Sequence, residues 1–194
     1  WSKSLSQDFG ATVPQWGYAN SPLVLEDRLL LDVGGPGASA VALDKLTGKL
    51  IWKAGHDLAA YSSPIIVKAG ADASVAFLNA AALVVRAVRD GRELWRFPWR
   101  TSYDVNAATP IIAGDAIFIS FGYNHGGALV RPSGASGGTA VWQNREMRNQ
   151  INSSVLWEGH LYGFDESALK CVDAATGKTL WRQGGLGKGS LILA

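Results

Sequence analysis

Residues that could do chemistry stand mostly in polar, aromatic-rich stretches between apolar segments. The candidate binding residues in those stretches are His56, Asp57, Tyr61, Trp99, Arg100, Tyr103, Asn124, His125, Arg145 and Arg148. Rings, cations and amides of this kind are typical of binding loops held on a rigid scaffold. The sequence therefore predicts a binding surface at these loops.

Acid–base chemistry near neutral pH has few candidates, because histidine is the side chain that ordinarily titrates there. His56 precedes Asp57, and His125 stands alone. A lone loop histidine is more often hydrogen bonded or solvated than catalytic. The sequence has no cluster with metal-ligand spacing, nucleophile elbow, phosphate-binding loop or dinucleotide fingerprint. We predict no catalytic residue and no metal site.

Composition narrows the class of protein. The chain has 194 residues, 47% of them hydrophobic, and a net charge of +2 without a basic run, which argues against nucleic acid as a partner. No apolar run reaches the ~18 residues that span a membrane. Cys171 is the single cysteine, so no intramolecular disulfide is possible, and we interpret it as a small buried hydrophobe.

The elements that must position the loops repeat along the chain. A glycine stands four residues before a tryptophan in the pairs Gly48/Trp52, Gly91/Trp95, Gly138/Trp142 and Gly177/Trp181. Short apolar runs separated by turn residues precede each pair, and the repeat length of ~40–50 residues is typical of a four-stranded propeller blade. We predict that the tryptophans pack blades together and that the glycines take a positive φ in the turn before the last strand.

The predicted architecture is all-β: about four blades of four antiparallel strands, with two partial blades. The boundaries within a single partial propeller, 1–194, are 1–20 (outer strand of a preceding blade, then a loop), 21–62, 63–108, 109–152 and 153–188 (four blades), and 189–194 (first strand of a next blade). Apolar faces and edges at the ends of such an arc would be exposed, which predicts self-association.

The two faces of such an arc differ. Connections after the second and fourth strands share the face with the long loops, at 7–20, 55–62, 97–108, 122–127 and 143–152, and all ten candidate binding residues fall within them. The other face has tight turns. We therefore predict that the long-loop face binds a partner.

The stretch from Ala42 to Trp52, Ala-x-Asp-x-x-Thr-Gly-Lys-x-x-Trp, resembles the tryptophan-docking motif of the quinoprotein-like (PQQ-like repeat) β-propeller family. The third copy lacks the Asp and Thr-Gly pattern. The resemblance implies a bacterial, periplasmic or otherwise extracytoplasmic protein. Family members have about seven or eight blades, so the chain is similar to a fragment of a longer propeller.

That family contains both enzymes and non-catalytic proteins, which leaves two hypotheses. The first is a scaffold without a cofactor that binds a protein, peptide or ligand through its long-loop face, with strand addition as one mode. The alternative is part of a PQQ-dependent alcohol or sugar dehydrogenase that holds PQQ with calcium. The family's enzymes carry an adjacent cysteine pair over the cofactor, and the single Cys171 favours the scaffold.

Overall fold

The computed structural model describes residues 1–194 and contains sixteen β-strands and one five-residue α-helix. It divides into two compact units, Trp1–Asn106 and Ala107–Ala194. Each unit holds two antiparallel four-stranded meanders, which confirms the all-β, partial-propeller prediction. No helix has the length and apolar character needed to cross a membrane.

The first unit contains two blades. Their strands are β1 (Leu23–Leu25), β2 (Arg28–Gly35), β3 (Ala38–Asp44), β4 (Leu50–Ala54), β5 (Ile65–Lys68), β6 (Ser74–Leu78), β7 (Ala82–Ala87) and β8 (Glu93–Pro98). Within each blade, each strand pairs with the next in antiparallel order. Leu30, Trp52 and Phe77 pack in one core between the two blades, so apolar burial stabilises their stacking.

The segment before β1 contains a short helix where the sequence pattern predicts a loop. Helix α1 (Leu5–Phe9) begins after Ser4, whose hydroxyl accepts a hydrogen bond from the Gln7 amide, and ends at Gly10 with a φ of 64°. Its Phe9 is buried in a second core beneath β2 and β3. This helix fixes the start of the loop that follows it.

The second unit contains the other two blades. Their strands are β9 (Ile111–Ala113), β10 (Ala116–Phe121), β11 (Gly126–Ser133), β12 (Gly137–Asn144), β13 (Val155–Trp157), β14 (His160–Asp165), β15 (Ala168–Asp173) and β16 (Thr179–Gln183). Phe118, Met147 and Leu161 form its core. Residues 1–4 and 189–194 form no hydrogen-bonded strand, so the strands of the two partial blades stay predictions.

The tryptophan repeat has a defined contact inside each unit. Trp52 Nε1 donates to the carbonyl oxygen of Val88 at 2.8 Å, and a Cβ on Gly91 would lie 2.5 Å from the Trp52 ring. Trp142 makes the same two contacts. Its Nε1 donates to the carbonyl oxygen of Ala174 at 2.9 Å, and its ring lies against Gly177. Each of these two indoles therefore lies on the left-handed glycine of the following blade's turn.

Trp95 and Trp181 depart from this predicted pattern of tryptophan packing. Trp95 is buried on β8 opposite Val85, but its ring does not belong to the core between the first two blades. Because β8 is the last strand of the first unit, no following blade of that unit can cover the ring, and the blade-packing role of Trp95 stays a prediction. Trp181, on the last strand of the second unit, is exposed, and its blade-packing role likewise stays a prediction.

Trp1 repeats the glycine contact against the first blade. Its ring covers Gly48, and its Nε1 donates to the Lys45 carbonyl oxygen at 3.3 Å. Trp1 therefore packs on a turn glycine as Trp52 and Trp142 do.

Positive φ occurs at Gly48, Gly91 and Gly177, but the prediction is wrong for Gly138. Gly138 lies within β12, opposite Pro132. The ladder of β11 and β12 continues past its bulge to Ser133 and Gly137, and the positive φ occurs at Gly134 instead. In the other three blades, an aspartate closes the turn before the last strand. The third blade has no aspartate in this turn, so its last hairpin is longer.

Candidate functional site

A shallow groove of about 240 Å³ lies among the long loops of the first unit, and we call it the loop groove. Its lining residues are Thr12, Val13, Pro14, Gln15, Leu58, Ala59, Tyr61, Tyr103 and Asp104. Apolar and aromatic side chains form most of the surface, and Asp104 carries its single charge. A surface of this kind fits an extended apolar ligand better than a small charged one.

Two tyrosines from the predicted binding residues meet in this groove. Tyr61 packs against Trp16 with ring centroids 5.8 Å apart, and its hydroxyl oxygen accepts a hydrogen bond from the Trp16 amide at 3.3 Å. Tyr103 is 75% exposed. Tyr103 and Asp104 have φ values of 64° and 55°, a left-handed pair that is costly for residues other than glycine.

A buried polar network holds the groove's walls from below. Asn106 is fully buried, and its carbonyl oxygen accepts from the amides of Tyr61 and Ser62 at 3.1 and 2.9 Å. Its side-chain Nδ2 donates to the Asn79 carbonyl oxygen at 2.8 Å, and Thr101 Oγ1 bonds its Oδ1 at 3.1 Å. The groove is therefore preorganised by residues that do not line it.

Asp32 is the unexpected member of this network. It is 1% exposed, and its carboxyl group accepts from Asn79 Nδ2 at 2.8 Å and from the Ala60 amide at 3.3 Å. Burial raises the pKa of Asp32 to about 8, because these uncharged donors offset the lost hydration only in part and Asp57 adds a like charge. Burial therefore favours the protonated form of Asp32.

The other predicted residues of the first unit have structural contacts. Asp57 pairs with Arg96 at 2.8 Å, and Arg96 also pairs with Glu93. His56 Nδ1 accepts from the Gly37 amide at 3.2 Å. Trp99 is buried beside Phe97, and Arg100 is exposed but does not line the groove.

In the second unit, Arg148 belongs to a buried ion cluster. Its Nε and Nη2 donate to Asp165 at 2.5 and 2.9 Å, and Lys170 Nζ lies 2.8 Å from the same carboxylate. Burial favours the neutral acid, but the bonds from Arg148 and Lys170 outweigh it and lower the pKa of Asp165. Lys170 Nζ also donates to the Glu146 carbonyl oxygen, so the cluster is internally satisfied.

Asn124 and His125 lie in a tight turn, Gly122–His125, which is shorter than the long loop predicted at 122–127. Asn124 Oδ1 accepts from Arg148 Nη1 at 3.4 Å. The His125 ring packs edge-on against Phe121, and burial, together with Arg145, lowers the pKa of His125. Arg145 itself is exposed.

The residue pattern did not lead to a prediction of the network beneath the groove. One signal was present: Asp32 interrupts an apolar strand, Leu29–Val33, and a carboxyl group inside a strand is a candidate buried acid. Asn79 and Asn106 gave no such signal. No group of three or more His, Cys, Asp or Glu side chains lies close enough together to hold a metal ion.

The sequence profile of the family described as outer membrane protein assembly factor BamB matches residues 1–183. The chain belongs to this family of PQQ-like β-propellers. No curated protein sequence gives a significant match to this BamB-family chain.

Solved structures agree on the fold. BamB from Moraxella catarrhalis superposes with a TM-score of 0.57 at 16% identity, over 85% of this chain and 48% of that one. A europium-containing methanol dehydrogenase gives 0.58 at 12% identity, over 92% and 43%. The computationally designed Ika8 protein gives 0.58 at 9%, over 89% and 52%. This BamB-family chain spans about half the length of these structures.

The resemblance to the quinoprotein-like family raises the question of a cofactor. The resemblance implies an adjacent cysteine pair over PQQ, but the chain has one cysteine, Cys171, which is buried on β15 opposite Tyr162. The residues present therefore do not supply the disulfide cap of such a site.

Proposed function

We propose that this chain is a non-catalytic scaffold that binds a segment of a partner protein in the loop groove. The observation that carries the proposal is an exposed aromatic groove built on a buried, hydrogen-bonded floor. Leu58 and Tyr103 present apolar surface to solvent, while Asn106 fixes the loops behind them. Rigid aromatic surface is characteristic of binding sites because little conformational entropy is lost on association.

The family description, an outer membrane protein assembly factor, supports a role in protein interaction. We also propose that the protein acts outside the cytoplasm, in the periplasm of a bacterium, and the same family description supports this. The ion pairs at Asp57 and Arg148 make those residues supports of the fold, so the proposal assigns binding to Tyr61 and Tyr103.

Site-specific photo-cross-linking tests this function. A photoreactive phenylalanine analogue replaces Leu58 or Tyr103, and the matched control carries it at Leu46, an exposed turn residue of the first unit at the opposite end of β4. We expect both groove positions to give the same adduct in the source cells, identified by mass spectrometry, and the control to give none of it. Identical adducts at all three positions, or none at the groove, would overturn the proposal.

A further inference from the structure

We infer that the loop groove recognises an extended, proline-containing segment that carries a basic side chain. This inference rests on the proposed function, that the groove binds a partner segment, and it specifies the chemistry of that segment.

The shape and surface of the groove favour an extended chain. Pro14, Leu58 and Tyr103 offer a shallow apolar surface from three separate loops. Aromatic-lined grooves of this type bind polyproline II segments, in which flat proline rings pack against tyrosine rings. Such segments also lose little entropy on binding, because they are already extended when free.

The polar groups that line the groove can donate hydrogen bonds to the backbone carbonyl oxygens of a bound segment. Thr12 and Gln15 carry side-chain donors, and the Tyr61 hydroxyl can donate its proton because its oxygen is already the acceptor for the Trp16 amide. A polyproline II segment has no internal hydrogen bonds, so its carbonyl oxygens are available. Proline lacks an N–H, which avoids an unpaired donor against the apolar walls.

Charge selects the basic side chain. Asp104 is the one charged residue that lines the groove, and no lining residue is cationic. Asp104 is exposed and follows Tyr103 directly, so a Lys or Arg of the ligand can pair with the carboxylate while its neighbour packs on the ring. An acidic residue at that position would be repelled.

Fluorescence polarisation with defined peptides tests the inference on the full chain. The probes are a labelled proline-rich peptide with one lysine, its Lys→Glu form, and a form with every proline replaced by alanine. We expect the lysine peptide to bind at least about fivefold more tightly than either changed form, with an affinity that falls as salt rises.

Two variants assign this binding to the groove. Asp104→Asn should weaken the lysine peptide by about threefold and remove most of the salt dependence. Tyr103→Ala should weaken every bound peptide by at least about tenfold, as expected for a central aromatic contact. The matched controls are Asp115→Asn, in an exposed turn, and Leu46→Ala, at an exposed turn position of the first unit outside the groove. Both should bind as the unchanged protein does.

The outcomes separate the inference from the proposed function. If the three peptides bind equally or not at all, while Leu58 and Tyr103 still give a shared photo-adduct, the groove binds a partner but the chemistry inferred here is wrong. If the adducts are also absent, both are wrong. A Tyr103→Ala effect that Leu46→Ala reproduces would also overturn the inference, because it would reflect altered folding.

Discussion

Asp32 and Asp165 show how environment gives two buried aspartates opposite behaviour. Both have almost no exposed surface. Asp32 has uncharged hydrogen-bond partners, so burial raises its pKa to about 8. Asp165 has two cations within hydrogen-bonding distance, and they more than offset the effect of burial on its pKa. These residues therefore affect stability in opposite directions as pH changes.

Asp32→Asn should change the pH dependence of stability. A raised folded-state pKa means that the stabilisation is complete below the unfolded pKa, near 3.8, and is lost as pH rises through about 8. Relative to the variant, the unchanged protein should lose up to ~1.4 kcal/mol per pH unit over that window. Urea unfolding at pH 5, 6.5 and 8 measures this, and parallel curves for the two proteins would contradict it.

Asp165→Asn should change the pH dependence of stability in the opposite direction. A lowered folded-state pKa gives stabilisation that is present above the unfolded value and lost as pH falls through the folded one. At pH 7 the variant leaves Arg148 and Lys170 without their carboxylate, and we expect a loss of about 3 kcal/mol. The gap between variant and unchanged protein should narrow on acidification. Asp115→Asn serves as the control, and an equal loss there would exclude the ion cluster as the cause.

At the scale of elements, the Asp-x-x-Thr-Gly turn before the last strand of a blade joins that blade to its neighbour. Asp44 Oδ1 accepts from the amide and hydroxyl of Thr47, both at 2.7 Å, and Asp173 and Thr176 repeat the arrangement. These bonds lower the pKa of both aspartates and close the turn so that its glycine meets the preceding tryptophan. The turn is therefore a packing device.

Gly91→Ala should lower the free energy of unfolding by more than the strain of a positive φ alone would cause. The new Cβ would combine a φ of 75° with contact at 2.5 Å from the Trp52 ring. Gly114→Ala is the matched control, because its φ is 66° but nothing lies within 4 Å of its Cβ. We expect the control to lose ~1 kcal/mol and Gly91→Ala at least ~2 kcal/mol more, measured by urea unfolding. Similar losses in both would mean that the ring moves aside at little cost.

At the scale of the whole molecule, the last blade exposes much apolar surface. Trp181 is 44% exposed, whereas Trp52 is 8% exposed, and an apolar depression of about 270 Å³ adjoins it, lined by Trp157 and Tyr162 among others. Exposed patches of this kind drive association.

We therefore expect the 194-residue chain to self-associate as its concentration rises. Trp157→Glu should shift the transition from monomer to oligomer to at least about tenfold higher concentration, because it places a charge in the apolar patch. Leu46→Glu, at an isolated exposed turn position, should leave the transition unchanged. Light scattering across a concentration series measures both, and a monomer throughout would show that this surface does not pair.

The amino-acid sequence determined the fold of this protein, because its evidence is local and repeated. Strand pattern, turn glycines and spaced tryptophans recur along the chain, so four blades of four antiparallel strands follow from the sequence. The prediction of a positive φ is wrong at Gly138, where the local motif is absent. What covers a tryptophan such as Trp95 or Trp181 is not a local property, because it depends on the blade that follows.

Only the tertiary structure decided which loop residues form the groove. Tyr61 and Tyr103 meet there, whereas Asp57 and Arg148 are neutralised by ion partners on other strands. Sequence spacing cannot reveal those partners, because burial and pairing depend on residues brought together from distant parts of the chain. The Asp32–Asn79 bond joins residues 47 positions apart, and the floor of the groove exists only once the blades have packed.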